Sequence, residues 1–306
     1  MTEERPDAGP AEGTVLPMWE EPDVVGAFAR WHPAAVVFYR PATEALLAAA
    51  GVAPGTRLLD VGTGTGIPAV RAAELVGPDG VVAATDPSAG LLAAAEANAR
   101  AAGAGNLSFR RAGAEALPFP DAGFDAVVSH LGLMFVADLP RALAEVRRVL
   151  CPGGRAAFLA WGPYAENPFW TVFHGLAKRY REGAAAEEDQ EVETDPAPEE
   201  EPDPRHPFRF AEPGSLLAAL RAAGFADARE ETRRVSLRLP DPEPIRRFWL
   251  DVGRADEDLP APRRQAFRDE VLAAYRAFAA GDGVELPAVF VVGSGATPSA
   301  PLRPRT

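Results

Sequence analysis

The chain has 306 residues and a single cysteine, Cys151. No intrachain disulfide can form, and a cysteine-built zinc cage is excluded. Cys151 precedes a Pro-Gly-Gly turn and has no histidine or lysine as a near neighbour, which makes it structural rather than reactive. No apolar run is long enough to span a bilayer. The start, "MTEERPDAGPAEGT", is polar and Pro/Gly-rich, without the apolar segment of a signal peptide. A reducing, cytoplasmic setting is expected. Bases are fewer than acids, 31 against 44, for a net charge of −13. Eleven of those acids lie between Glu182 and Asp203 with no base among them, and setting them aside leaves −2. The rest of the chain is thus near neutral. It has no basic stripe, so neither nucleic acid nor an anionic membrane is expected as a partner.

What the chain does have is an alternation of two periodicities. Residues 18–50 carry helical patterning, with breaks expected near Pro33 and Pro41. Short apolar runs at 57–61, 80–85, 107–110, 124–129 and 155–161 read as strands. Helical runs at 67–76, 88–102 and 139–150 separate them, the last with Leu139, Leu143, Val146 and Leu150 on one face. This order predicts a doubly wound α/β fold with a mostly parallel sheet. Residues 183–205 are acidic and rich in Pro and Ala, and are expected to be a flexible insertion between a core at 17–182 and a continuation at 206–294. That continuation reads as a helix (213–223), a strand (225–239), helices (242–252 and 264–280) and a last apolar strand (286–294). Residues 1–16 and 295–306 are expected to be disordered.

The segment "RLLDVGTGTGIPAV" (57–70) sets a glycine loop between a strand and a helix. Glycines allow a tight turn and a close ligand approach. The helix start offers unpaired N–H groups, where either a phosphate or a carboxylate could sit. The spacing is G-x-G-x-G. Ile67 stands where the dinucleotide fingerprint needs its third glycine, and no Gly-Lys-Ser/Thr end marks a P-loop. Asp60 would repel a pyrophosphate and attract an ammonium. The loop therefore suits a ligand carrying an amino group and a carboxylate.

"DVGTGTG" resembles the [D/E]-x-G-x-G-x-G motif of the class I methyltransferases, which use S-adenosylmethionine. "VVAATDPS" places Asp86 at the end of the second strand, "AGAEALPFPDAGFDAVVS" is similar to the family's adenine segment, and "VRRVLCPGGRAAFLAW" to its helix, turn and fifth strand. The likeness is dense over residues 52–161, and "LPAVFVVG" is similar to the family's antiparallel final strand. It implies a seven-stranded sheet, N-terminal helices over the cofactor, and a helical insertion before the last strand. It also implies cofactor contacts from Asp60, Gly62, Thr63, Gly64 and Gly66, from Asp86 and Pro87 at the ribose, from Gly113, Ala114 and Glu115 at adenine, from Ser129, and from Tyr39 or Arg40 at the methionine carboxylate. Gly113 departs from the Asp that often stands there, and Cys151 from the usual Lys or Arg.

The implied activity is methyl transfer from S-adenosylmethionine, leaving S-adenosylhomocysteine, to a small molecule, with no metal. The aromatic regions 161–176 and 242–280 suit a flat or apolar acceptor, and oxygen is preferred over carbon or nitrogen. His130, after the fourth strand, is a candidate base for a hydroxyl, or a residue of the pocket wall. Taken singly, each aromatic of these regions is more often core than contact, and His174 faces the same ambiguity. A nicotinamide-dependent oxidoreductase and a non-catalytic scaffold are the rival readings.

Overall fold

The computed structural model describes residues 16–187 and 205–299. The expectations for residues 1–15, 188–204 and 300–306 fall outside them. After a short 3-10 turn at Pro17–Glu20 come α1 (Pro22–Phe38) and α2 (Arg40–Ala49). The core then alternates: β1 (Arg57–Val61), α3 (Ile67–Val76), β2 (Val81–Asp86), α4 (Ala89–Ala101), β3 (Leu107–Arg111), β4 (Phe124–His130), α5 (Leu139–Val149) and β5 (Leu150–Trp161). The second half adds α6 (Pro168–Glu187), α7 (Ser215–Ala222), β6 (Ala226–Leu239), α8 (Glu243–Gly253), α9 (Ala261–Arg276), β7 (Ala279–Ala280) and β8 (Gly283–Ala296).

The long strands lie in the order β3-β2-β1-β4-β5-β8-β6. β1 to β5 pair in parallel, while β8 runs antiparallel to both β5 and β6. This is the doubly wound, mostly parallel sheet with a reversed last strand that the sequence implies. The two-residue β7, which pairs with β8, was not expected. It ends α9 at Arg276, because the chain turns back at 281–282 into a hairpin instead of completing a helix to Ala280.

Several boundaries differ from expectation for identifiable reasons. Helix α1 runs through Pro33. The carbonyl that this proline leaves without its helical partner belongs to Ala29, on the exposed face, where it costs less than it would in the core. The break falls instead at Tyr39, and Pro41 sits in the first turn of α2, where a proline N–H is not needed. Helix α6 continues through Glu187, into the stretch read as insertion. Strand β8 reaches Ala296, and the Thr297 hydroxyl donates to the Cys151 carbonyl at 2.6 Å, so 295–297 are part of the sheet end. At the Pro152–Gly154 turn the β4–β5 register skips from Phe124–Leu150 to Ala126–Arg155, a bulge.

Helix starts follow local chemistry. Ser88 caps α4 by accepting from the Leu91 N–H at 3.3 Å, and Asp138 caps α5 by accepting from Arg141 at 3.0 Å. Helix α3 begins after Gly66 with no side-chain cap and with Pro68, which has no N–H, as its second residue, so the N–H groups of Ile67 and Ala69 have no side-chain partner. Helices α1 and α8 pack together, joined outside by Arg30 and Asp251 at 2.7 Å. This is an exposed pair of small energetic weight. Its interest is its place: α1 and α8 both line the cavity described next.

Candidate active site

The sheet order reverses between β1 and β4, and ligands of open α/β sheets bind outside the strand carboxyl ends at such a point. A cavity of about 530 Å³ opens there. One end is the glycine loop. The Gly62 and Thr63 N–H groups both donate to the Thr85 carbonyl at 2.9 Å, which ties the loop to β2. Gly64 donates to Asp86 Oδ2 at 2.8 Å, and Ser88 donates to Asp86 Oδ1 at 2.9 Å. Two oxygens with about four acceptor positions leave Asp86 room for two further hydroxyls.

Three glycines of the loop have positive φ, and they do different work. Gly64 (φ +56°) lines the cavity, and a methyl there meets no protein atom within 4 Å. Gly66 (φ +91°) does not line it, and its missing side chain makes room for Ala95 of α4, whose Cβ would lie 3.3 Å away. Gly66→Ala is therefore expected to cost roughly 1–3 kcal/mol of stability, from left-handed strain plus a tight contact. Gly64→Ala costs only the strain, about 1 kcal/mol, but loses more cofactor affinity. Thermal melts beside S-adenosylhomocysteine calorimetry check the contrast, and equal binding losses at the two positions would refute it.

Asp60 lies under the loop, fully buried, and neither carboxylate oxygen has a hydrogen-bond partner among the described residues. Burial raises its pKa to about 7; the nearby Thr63 hydroxyl opposes the rise and the Asp86 charge adds to it. Burial likewise raises Asp86 to about 6, against the pull of its two backbone donors. A buried, unpartnered carboxylate costs free energy until a cation reaches it.

Gly113, Ala114 and Glu115, in the stretch that resembles the family's adenine segment, line the cavity with Pro87. Glu115 Oε1 accepts from Ala137 at 3.2 Å, and its other oxygen is buried without a partner among the described residues. Ser129 also lines the cavity. His130 is buried, with Nε2 3.2 Å from Thr43 Oγ1, whose proton goes to the Tyr39 carbonyl at 3.1 Å. Burial lowers its pKa to about 4, so the ring is neutral at physiological pH. Tyr39 lines the cavity and meets the His130 ring edge-to-face at 5.7 Å. Arg40 does not line it: one residue further along, at the first position of α2, its side chain is exposed on the outer face. Of the two residues expected at the methionine carboxylate, Tyr39 lines the cavity and Arg40 does not.

Sequence reasoning missed the roof and the floor. Leu16, Met18 and Trp19 roof the loop end. Their segment is tied down by Ser88 Oγ donating to the Trp19 carbonyl at 2.7 Å and by Arg111 on Glu20 at 2.9 Å. His32 of α1 reaches Thr65 in the glycine loop, Nδ1 to Oγ1, at 2.9 Å. Gly132 forms the floor: a Cβ there would lie 3.0 Å from Ser129 Oγ and 3.3 Å from the Gly62 carbonyl. Leu131 beside it holds φ +59°, rare for a leucine, in the cavity wall. The glycine of "SHLGLMF" was the available signal. The other end of the cavity is aromatic: Trp31 from α1, Trp161 from β5, Phe169, Trp170 and His174 from α6, Phe248 and Trp249 from α8.

An open glycine loop, a helix start without a cap, an unpartnered carboxylate beneath it and a second carboxylate at the end of β2 define a site for an adenosyl cofactor bearing an amino acid. The comparisons agree. A family model described as methyltransferase domain matches residues 59–158. Over 278 residues the chain is 32% identical to nocamycin O-methyltransferase of Saccharothrix syringae, covering 86% of this chain and 95% of that protein. Over 110 residues it is 41% identical to the 2-phytyl-1,4-naphtoquinone methyltransferase of Trichormus variabilis, covering 36% of this chain and 48% of that one. In fold it is similar to phosphoethanolamine N-methyltransferase 2 of Haemonchus contortus, with TM-score 0.54 and 16% identity over 93% of this chain and 61% of that one. The chain belongs to the class I S-adenosylmethionine-dependent methyltransferases, and S-adenosylmethionine is its cofactor.

Proposed function

We propose that this protein methylates an oxygen atom of a flat, largely apolar small molecule. The observation that carries the reading is the continuity of one cavity from the glycine loop to an aromatic slot. Apart from Arg205, its charged lining residues are Asp86 at the end of β2 and Glu115 in the adenine segment. Oxygen is favoured by the likeness to an O-methyltransferase over nearly the full length of that protein. The quinone methyltransferase match covers about a third of this chain and does not bear on the acceptor end.

In this reading Asp60, buried beneath the loop rather than in the cavity wall, attracts the cofactor's ammonium, and the uncapped start of α3 faces its carboxylate. Asp86 accepts from the ribose hydroxyls, Pro87 and Gly113 to Glu115 border adenine, and Ser129 and Tyr39 close the methionine end. Asp60 fits because an ammonium neutralises an otherwise unpaired buried charge. The bound cofactor would supply a methyl group on a sulfonium, open to in-line displacement by the acceptor oxygen, with a neutral thioether leaving and the hydroxyl proton lost to solvent. The protein's part is alignment and exclusion of water, which can supply roughly 7–11 kcal/mol. His130 serves as wall rather than base: taking a proton from a phenol with a ring of pKa about 4 is uphill by roughly 8 kcal/mol.

The test is incubation with trideuteromethyl S-adenosylmethionine and a panel of phenols, enols, carboxylic acids, amines and thiols, with products located by mass spectrometry. Label on oxygen of a planar acceptor is expected; label only on nitrogen, carbon or sulfur, with S-adenosylhomocysteine still bound, overturns the reading. With an acceptor in hand, His130→Asn is expected to lower kcat less than about tenfold and to leave its pH profile unchanged. A loss near the ~10²–10⁴ of general-base catalysis, with the acidic limb gone, would restore His130 as the base.

A further inference from the structure

We infer that His174 is the specificity-determining residue of the acceptor slot, binding a hydroxyl or carbonyl at the end of the acceptor remote from the methylated oxygen. The inference rests on the proposed small-molecule reading and narrows it to planar acceptors polar at both ends.

The geometry is a row of rings. From His130, near the glycine loop, the contacts run to Tyr39 at 5.7 Å, Trp161 at 6.1 Å, Trp170 at 5.8 Å and His174 at 5.6 Å. All five rings line the cavity, so its wall is several rings long, more than a one-ring acceptor covers. His174 is fixed on three sides: Tyr164 stacks on it at 6.0 Å, Trp249 meets it at 5.2 Å, and Phe173 lies at 6.0 Å. Yet among the described residues no hydrogen bond reaches either ring nitrogen. The imidazole is held by packing alone, with its polar atoms left over, beside the buried indole N–H groups of Trp170 and Trp249, which also lack partners among the described residues but can only donate, whereas the imidazole can also accept. Burial and the Arg181 charge both lower its pKa. The neutral ring offers one donor and one acceptor, which serves a hydroxyl or a carbonyl equally. An acceptor with no polar group there displaces the imidazole's water without replacing its hydrogen bonds, and loses affinity for that reason.

The test uses 2,6-dihydroxynaphthalene and 2-naphthol as probes, titrated calorimetrically into the full-length protein saturated with S-adenosylhomocysteine. Wild type is expected to bind the diol about tenfold tighter, above the factor of about two due to its symmetry, as one hydrogen bond to a neutral partner allows. His174→Phe keeps a packed ring and loses the nitrogens, so it should bind both probes alike. His174→Gln restores donor and acceptor, and should recover much of the preference. S-adenosylhomocysteine affinity should be unchanged in both variants, which separates the effect from misfolding. A preference that survives in His174→Phe, its absence from wild type, or binding of neither probe while S-adenosylhomocysteine binds would each overturn the inference. If the preference follows His174 but the transferred methyl is found on carbon or nitrogen, the inference stands and the oxygen reading fails.

Discussion

Asp86→Ala is expected to weaken S-adenosylhomocysteine binding by roughly 10²–10⁴-fold, as the loss of two hydrogen bonds to a charged acceptor at about 1.5–3 kcal/mol each implies. The carboxylate has two tasks. It lines the cavity with spare acceptor positions, and it holds the Gly64 and Ser88 N–H groups at 2.8 and 2.9 Å. Alanine removes the ribose acceptors and leaves the Gly64 amide of the loop without a partner. Asp86→Asn separates the tasks in part, because its single oxygen satisfies one N–H while its NH₂ faces the other donor to donor. Its affinity should fall between wild type and alanine. The unliganded fold should suffer less than binding does. Burial has raised the Asp86 pKa to about 6, so its charge is already disfavoured in the folded state and removing it relieves a cost. Calorimetry and thermal melts without ligand measure the two effects. Affinity of the alanine variant within tenfold of wild type would remove Asp86 from the binding site.

The parts of this site that were legible in the sequence are those fixed by a few neighbouring residues. The glycine loop, the strand before it and the helix after it lie within Arg57–Val76, so spacing alone separates this loop from a pyrophosphate loop. Asp86 is legible because β2 is parallel to β1 and ends one residue beyond the Val61–Thr85 pair. What was not legible depends on closure between distant segments. Trp19 roofs the site because Ser88, 69 residues away, holds its carbonyl. His32 touches the loop at Thr65 across 33 residues. Gly132 has to be a glycine only because Gly62 and Ser129 crowd it. Arg40 shows the same limit in reverse. The family resemblance offered Tyr39 or Arg40, but at the break between α1 and α2 Tyr39 is buried against the cavity and Arg40, the first residue of α2, is exposed. The aromatic slot was visible as composition, but its order, His130 through Tyr39, Trp161 and Trp170 to His174, exists only once α1, β5 and α6 are packed together.

Cofactor affinity is expected to rise with pH between 5.5 and 8, and Asp60 sets most of the rise. With its pKa at about 7 in the free protein, Asp60 is largely protonated at pH 5.5. The ammonium of S-adenosylhomocysteine favours the carboxylate, so binding expels a proton, and affinity should grow about 30-fold across the interval if one group of that pKa must ionise. Asp86, at about 6, adds a smaller slope at the acid end. Asp60→Asn should keep only that smaller slope. The stability of the free protein should move the other way. Asp60 is raised from 3.8 to about 7, so the folded state holds more protons than the unfolded one between those values. Its stabilisation is complete below 3.8 and is lost as pH rises through 7. His130 is lowered from 6.5 to about 4, and its contribution is present above 6.5 and lost as pH falls through 4. Asp60 and Asp86 oppose His130 below pH 6.5; above it the change at Asp60 is the largest of the three, and the difference between wild type and Asp60→Asn removes the others. From 6.5 to 8 the unliganded melting temperature should fall in wild type relative to Asp60→Asn, while the gain on adding S-adenosylhomocysteine grows more in wild type. Parallel calorimetric and melting series at four pH values measure both slopes. Affinity independent of pH would mean that Asp60 is already ionised without ligand and has no part in drawing the ammonium in.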